Sequence, residues 1–177
     1  MSAREAAEAI ARGVRAVVPG AACTLAPVSD GGEGFTTSLG TALGATLHSV
    51  TVSDALGRPV SAEYAFASGA QPSTVVLEMA SAAGLMHLQP GERDPMRAST
   101  RGVGELISSA LDRLGGGGRL IIGIGGSATN DGGVGMLGAL GARFLDSDGR
   151  PLPPVPASLA GRLARICLLY TSDAADE

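Results

Sequence analysis

The residues of this sequence that could do chemistry are concentrated in two glycine-rich loops. The longer one, residues 123–133, begins at the end of the apolar run 119–124. Backbone N–H groups at a turn from a strand into a helix point outward together and bind phosphate. Ser127 and Thr129 would add hydroxyl groups, Asn130 an amide and Asp131 a carboxylate, which is a typical Mg²⁺ ligand beside phosphates. The pattern therefore favours a phosphate site.

Two other interpretations of this loop stay open. Residues 123–128 also fit a dinucleotide-binding pattern with Ala in the last place, and Asp146 lies about 20 residues on, where the ribose-binding acid belongs. This pattern would indicate a dinucleotide-dependent oxidoreductase. In a dinucleotide-binding motif the helix begins among these glycines, so Gly132 and Gly133 would fall in its first turns. Glycine is unfavourable there, which argues against this interpretation. The loop could also be a tight strand–helix turn without a ligand. It lacks the Gly-Lys-Ser/Thr ending of a P-loop.

The second loop is Asp30-Gly31-Gly32-Glu33-Gly34, after the apolar run 24–28. Two carboxylates three residues apart could hold a metal ion or accept a proton. Taken alone, Asp-Gly-Gly is common turn chemistry, and Glu33 could simply favour a helix N-terminus. Ligands of open α/β sheets gather at the carboxyl ends of strands, so we expect the two loops to face one cleft.

Other polar residues have less specific patterns. Glu78 ends the apolar run 74–77 and could either contact a substrate hydroxyl or cap residues 80–83. A helical pattern is preceded by Ser99, Thr100, Arg101 and Gly102. Ser or Thr could cap this helix, or Arg101 or the helix N-terminus could bind a carboxylate. His48 and His87 have no Cys or His partner at metal-ligand spacing, so we expect structural or solvated roles.

The periodicity predicts the elements that position these residues. Helices are expected at residues 4–18, after Gly34, at 102–114 and at 134–140. Strands are expected at 24–28, 74–77, 119–124 and 142–145, with a hairpin of one solvated face over 46–67. This order predicts an α/β fold with Rossmann-like strand–Gly loop–helix units and a β-rich insertion.

Composition excludes several classes of protein. The chain has 177 residues, 45% of them hydrophobic, so it can bury a core. Its net charge of −4 argues against nucleic acid as a partner. A membrane-spanning helix needs about 20 apolar residues, and no apolar run in the sequence approaches that length. Cys23 and Cys167 form no disulfide framework, so we expect a cytoplasmic protein.

Together these motifs resemble the bacterial glycerate kinase family. The resemblance rests on Asp30–Gly34, Glu78-Met79-Ala80 with Gly84-Leu85, Thr100 with Gly102 and Gly104–Ile107, and above all Gly123–Gly133, in the family's order. Asp54 with Leu56–Pro59 and Phe144–Asp146 match as well. The match covers residues 2–166.

The resemblance implies two α/β domains with the active site in the cleft between them, and D-glycerate, ATP and Mg²⁺ as ligands. It implies phosphoryl transfer, which needs mainly positioning and charge neutralisation. Asp30, Glu33 and Asp131 are then candidates for metal or base roles, with Asp30 and Asp131 as metal ligands. Substrate and phosphate binding is expected at Gly31, Gly32, Glu78, Thr100, Gly125, Gly126, Ser127, Thr129 and Asn130.

The resemblance also implies that the chain is partial. Relative to the family it lacks a first strand with an Asp- and Lys-bearing loop, and about as many residues again at its other end. We therefore expect residues 1–45 to be part of one α/β domain, 46–150 an inserted domain and 151–166 the start of a connection. Residues 167–177 resemble a translated sequencing adapter. We expect the 177 residues alone to be inactive or nearly so.

Overall fold

The computed structural model describes residues 2–152, 166 and 168–170. It contains α-helices and β-strands in mixed order, as the sequence predicts. The helices are α1 (Ala3–Val17), α2 (Phe35–Ala42), α3 (Met79–Ala83), α4 (Arg101–Leu114) and α5 (Val134–Ala139). The strands are β1 (Thr46–Ser53), β2 (Pro59–Ala67), β3 (Thr74–Glu78), β4 (Arg119–Gly123), β5 (Arg143–Leu145) and β6 (Leu168–Tyr170).

The main sheet has four strands in the order β1-β2-β3-β4. The pairs β1–β2 and β2–β3 are antiparallel, and β3–β4 is parallel. The predicted hairpin is therefore confirmed. Its turn is organised by Asp54, whose Oδ1 accepts the N–H groups of Leu56 and Arg58, both at 2.8 Å.

Helices cover both faces of the central strands. Because side chains alternate along a strand, Tyr64 and Leu77 face α4, where they join a core with Val103 and Leu106. Ala65 faces α2 on the opposite side, so close to Gly40 that a Cβ there would lie 2.7 Å from the Ala65 methyl group. The solvated face expected for the hairpin is present along β1, where Ser49 and Thr51 are exposed, and in the first half of β2 as far as Glu63. Strand β3 is buried throughout.

Glycines allow α4 and α5 to pack backbone against backbone. A Cβ at Gly104 would collide with the Met136 carbonyl oxygen, and a Cβ at Gly135 would collide with Ser99 Oγ. A Cβ at Gly102 would likewise collide with the carbonyl oxygen of Ser53 at the end of β1. These close approaches fix the start of α4 against both the sheet and α5.

The predicted strand at 24–28 is wrong. Residues 21–30 form no helix or strand. No strand of the described residues runs beside this segment to complete a hydrogen-bonded ladder, and Val28 is 81% exposed. Helix α1 is also less buried than its apolar stripe suggests, since Ile10, Val14 and Val18 are exposed and only Ala11 is buried.

The last part of the chain is only partly described. Strand β6 pairs antiparallel with β5. The expected connection 151–166 lies outside the described residues apart from Pro151, Leu152 and Ile166, and the expected adapter sequence 167–177 does so apart from β6. Among the helices that the structure describes, none has the length and apolar character needed to cross a membrane.

Candidate active site

The two glycine-rich loops are in direct contact. We call residues 29–34 the acidic loop and residues 124–133 the long loop. The carbonyl oxygen of Gly31 accepts a hydrogen bond from the N–H of Gly125 at 2.9 Å. The acidic loop leads into α2, and the long loop lies between the end of β4 and α5. The two loops therefore meet, as expected, and that they face one cleft stays a prediction.

Glycine is required where the loops meet. A Cβ at Gly123 would lie 2.5 Å from the Gly31 oxygen and 2.6 Å from the Phe35 ring. A Cβ at Gly125 would lie 2.6 Å from the nitrogen of Gly32. Since real Cβ atoms do not approach backbone so closely, a side chain at either position would separate the two loops.

The segment after β3 holds the long loop on its other side. The N–H of Leu85 donates to the Gly126 carbonyl at 3.0 Å, and the N–H of Ala128 donates to the Ala83 carbonyl at 2.8 Å. Sequence reasoning used Gly84-Leu85 only as part of a family pattern and did not predict this contact. The residue that could have indicated a close backbone approach here is Gly84, where a Cβ would collide with the carbonyl of Ala80.

Glu78 is buried and bonded to the start of α2. Its Oε1 accepts the N–H of Gly34 at 3.1 Å and its Oε2 accepts the N–H of Thr36 at 2.7 Å. The side chain makes no capping bond to α3, so the predicted local cap is wrong. The arrangement also argues against the predicted contact with a substrate hydroxyl, because both oxygens already have donors and the residue is 6% exposed.

Asp131, the one acid among residues 124–133, is deeply buried, at 1% exposure. Its oxygens accept the N–H and the hydroxyl of Thr100 and the N–H groups of Gly133 and Gly135. These bonds argue against the predicted metal and base roles of Asp131, because its oxygens are directed at protein donors. We assign it to holding α4, α5 and the long loop together.

Thr100 serves the same junction. Its Oγ1 donates to Asp131 and accepts the N–H of Met136 at 2.9 Å. It is the N-cap residue of α4, but its side chain makes no capping bond to that helix. Arg101 is paired with Glu105 at 2.8 Å. The predicted side-chain cap is supplied by Ser99 instead, whose Oγ accepts the N–H of Arg101, the first residue of α4, at 3.2 Å. The Thr100 hydroxyl is bonded to Asp131 and Met136 and presents no free group to an anion.

The middle of the long loop keeps its polar groups near solvent. Ser127 Oγ and Thr129 Oγ1 lie 2.7 Å apart, and Ser127 Oγ also accepts the Thr129 N–H. Asn130 is exposed. These residues line a cavity of about 450 Å³. Its wall also includes Met79, Ile122, Ile124, Gly132, Gly133 and Met136.

The acids of the acidic loop are the exposed carboxylates of the site. Asp30 and Glu33 are both exposed and border a second cavity of about 470 Å³ beside α2. Asp30 Oδ1 accepts the N–H of Gly32 at 3.0 Å, which leaves its other oxygen for a ligand. Within the described residues no group of three or more His, Cys, Asp or Glu side chains could hold a metal ion. Protein carboxylates alone therefore make no metal cage in this part of the chain.

Three N–H groups at the junction of the loops have no protein acceptor. Those of Glu33, Gly126 and Ser127 donate to no atom of the described residues. The nitrogen of Glu33 lies 3.9 Å from the position that a Cβ would take at Gly126, so the groups are neighbours. By contrast, the N–H groups of Gly31 and Gly32 are occupied by side chains within the acidic loop.

A charged cluster on the surface links the hairpin turn to the segment that follows β3. Arg58 Nε contacts Asp54 Oδ2 at 2.7 Å, and its other nitrogens reach Glu92 and the carbonyl of His87. Burial alone would raise the pKa of Asp54, but hydrogen bonds from Arg58 and Leu56 outweigh burial and lower that pKa below its usual value. His87 itself is bonded to the Ser81 carbonyl, as a structural role predicts.

The dinucleotide interpretation does not agree with the geometry. That motif needs a helix that begins among its glycines, whereas residues 124–133 separate β4 from α5. Asp146 accepts the N–H groups of Asp148 and Arg150 in a turn after β5. The long loop is therefore an extended loop lined with polar groups.

Comparison with known proteins identifies the family. Residues 1–174 match the model of the glycerate kinase family. A Bacillus subtilis glycerate kinase is 50% identical over 161 residues, which are 90% of this chain and 41% of that protein. An Escherichia coli glycerate 2-kinase is 41% identical over 152 residues, which are 86% of this chain and 39% of that protein. None of these relatives supports an oxidoreductase.

A solved structure shares this fold. The crystal structure of a Salmonella typhimurium LT2 protein assigned as a glycerate kinase 2 superimposes with a TM-score of 0.76 at 40% identity. The match covers 97% of this chain and 44% of that one. The chain thus spans about two fifths of the length of the relatives that it matches. On the family model, the sequence identities and the shared fold, the chain belongs to the glycerate kinase family.

Proposed function

We propose that this chain supplies part of the active site of a cytoplasmic kinase that phosphorylates D-glycerate with ATP and Mg²⁺. The observation that carries the proposal is the contact between the two loops, through which Gly31 and Gly125 join the acidic carboxylates to the phosphate-type loop. Membership of the family supports the choice of substrate. The relatives' names supply glycerate as the acceptor.

In this proposal, anionic oxygens bind between the loops. The unpaired N–H groups of Glu33, Gly126 and Ser127 are suited to the glycerate carboxylate or to a phosphate group, since both accept several N–H bonds at once. Ser127 and Thr129 share one hydrogen bond, so one of the two hydroxyl protons is left for a ligand. Asn130 adds an exposed amide.

The reaction forms a bond between a glycerate hydroxyl oxygen and the γ-phosphorus and breaks the bond from that phosphorus to the β,γ-bridging oxygen, so that ADP leaves. The hydroxyl proton passes to a carboxylate, and Asp30 and Glu33 are the exposed candidates. Mg²⁺ is commonly held by one or two carboxylates together with phosphate oxygens, and it would neutralise charge on the transferred group. Asp30 fits that limited role.

The proposal is tested on the protein encoded by the complete reading frame that contains these residues. Incubation with ATP, Mg²⁺ and D-glycerate, followed by ³¹P NMR, should show ADP and a phosphoglycerate in equal amounts. L-glycerate serves as the matched control for the acceptor. ATP consumption without a phosphoglycerate, or tight nicotinamide dinucleotide binding in its place, would show that the proposal is wrong.

A further inference from the structure

The helices that follow the two loops begin in the same unusual way. The N-cap residue of α2 is Gly34 at φ +87°, and the N-cap residue of α5 is Gly133 at φ +79°. Glycine is suited to this left-handed conformation, but it has no side chain that could accept the first N–H groups of the helix. Those groups therefore need an acceptor from elsewhere.

In both helices a buried carboxylate supplies that acceptor at the same two positions. Glu78 accepts the N–H of the N-cap residue Gly34 and of Thr36, the second helical residue. Asp131 accepts the N–H of the N-cap residue Gly133 and of Gly135, again the second helical residue, both at 3.1 Å. In each helix the two N–H groups donate to different oxygens of the same carboxylate.

We propose that Glu78 and Asp131 are positioning residues, which close the starts of α2 and α5 to substrate anions and leave the N–H groups between the loops as the anion site. This inference rests on the proposed function for the identity of the anion. Free N–H groups at a helix start attract anions. Here the oxygens of Glu78 and Asp131 already accept these N–H groups, so they are not available to a second anion.

The same bonds set the shape of the site. Glu78 ties the acidic loop to the end of β3, and Asp131 ties the long loop to the start of α4. The loops are thereby held from two sides while their junction keeps the unpaired N–H groups of Glu33, Gly126 and Ser127. The two carboxylates thus act through the backbone and without contact to the substrate.

Amide hydrogen exchange, measured by NMR on the 177-residue chain, tests the positioning role. Glu78→Gln should speed exchange at Gly34 and Thr36 by about tenfold and leave Gly133 and Gly135 unchanged, and Asp131→Asn should do the reverse. Glu63→Gln and Asp112→Asn are matched controls at exposed positions on β2 and α4. Equal acceleration of all core amides would show a general loss of stability and would overturn the positioning role.

Titration of the unmodified chain with inorganic phosphate tests the location of the anion and needs no variant to fold. Chemical-shift changes should appear at Glu33, Gly126 and Ser127. Changes that centre on Gly34, Thr36, Gly133 or Gly135 would overturn the inference that these helix starts are closed. Absence of phosphate binding anywhere would count against the proposed function, whereas the exchange experiment would still decide the roles of Glu78 and Asp131.

Discussion

The carbonyl oxygen of Gly31 accepts the N–H of Gly125 at 2.9 Å, and this bond joins two loops that are more than 90 positions apart in the sequence. Without it, the exposed carboxylates of Asp30 and Glu33 would belong to one loop and the unpaired N–H groups of Gly126 and Ser127 to another. The bond is possible because glycines on both sides let the backbones touch. The candidate site is therefore a property of the contact and of neither loop alone.

Gly125→Ala should disrupt this contact. The new methyl group would lie 2.6 Å from the Gly32 nitrogen, so one loop must move. We expect a loss of about 2 kcal/mol in the free energy of unfolding, measured by urea denaturation.

Gly13→Ala is the matched control for this substitution. Gly13 lies within α1 and has nothing within 4 Å of its Cβ position. Because alanine favours a helix, this variant should be more stable by about 0.5–1 kcal/mol. A Gly125→Ala protein as stable as the unmodified chain would show that the loops do not pack as described.

Thr100→Val should weaken the junction of α4 and α5. The substitution keeps the shape of the side chain but removes the hydroxyl that bonds Asp131 and the N–H of Met136. The N–H of Met136 would lose its acceptor and Asp131 would lose one of its donors, which together should cost about 1–3 kcal/mol. Thr100→Ser keeps the hydroxyl and should cost less. Equal losses in the two variants would assign the effect to the methyl group instead of the hydrogen bonds.

Thr36→Val should have the opposite effect. The Thr36 hydroxyl is buried and has no hydrogen-bond partner among the described residues. Its replacement by a methyl group removes an unsatisfied polar atom and should stabilise the chain by about 1 kcal/mol. Thr37→Val, at an exposed position of the same helix, controls for helix propensity. Marked destabilisation in thermal unfolding by Thr36→Val alone would mean that the hydroxyl is bonded.

Asp54 should make stability depend on pH in the acid range. Its folded-state pKa is lowered from an ordinary value of 3.8, so its stabilising contribution is fully present above that value and is lost as pH falls through the folded pKa. The gap in unfolding free energy between the unmodified chain and Asp54→Asn should be constant from about pH 7 to pH 5 and narrow below about pH 4. A gap that widens in acid would contradict the lowered pKa.

Much of the fold can be predicted from the sequence because the spacing of apolar residues within a helix or strand is a local pattern. Helix α4 and strand β2 were predicted from apolar spacing, and the glycine loops were found because their composition is unusual. The failed strand at 24–28 shows the limit of this reasoning. An apolar run predicts a strand only if a neighbouring strand completes its hydrogen bonds, and the described residues provide none there.

The roles of individual acids depended on long-range contacts. Glu78 and Gly34 are 44 positions apart in sequence, and no local pattern shows that the carboxylate accepts N–H groups at the start of α2. Asp131 is of a residue type that binds metal ions, but its oxygens accept hydrogen bonds from Thr100 and from the start of α5. Asp30 and Glu33 stay exposed, so their predicted base and metal roles remain predictions.

The most direct test of the central claim is a kinetic comparison in the protein from the complete reading frame. ATP-dependent phosphorylation of D-glycerate should be measured for the unmodified protein, Gly125→Ala and Gly13→Ala. If the contact between the loops forms the site, Gly125→Ala should lower kcat/KM by about a hundredfold, while Gly13→Ala should leave it unchanged. Full activity in Gly125→Ala, with both variants folded, would contradict the claim that the two loops act as one site.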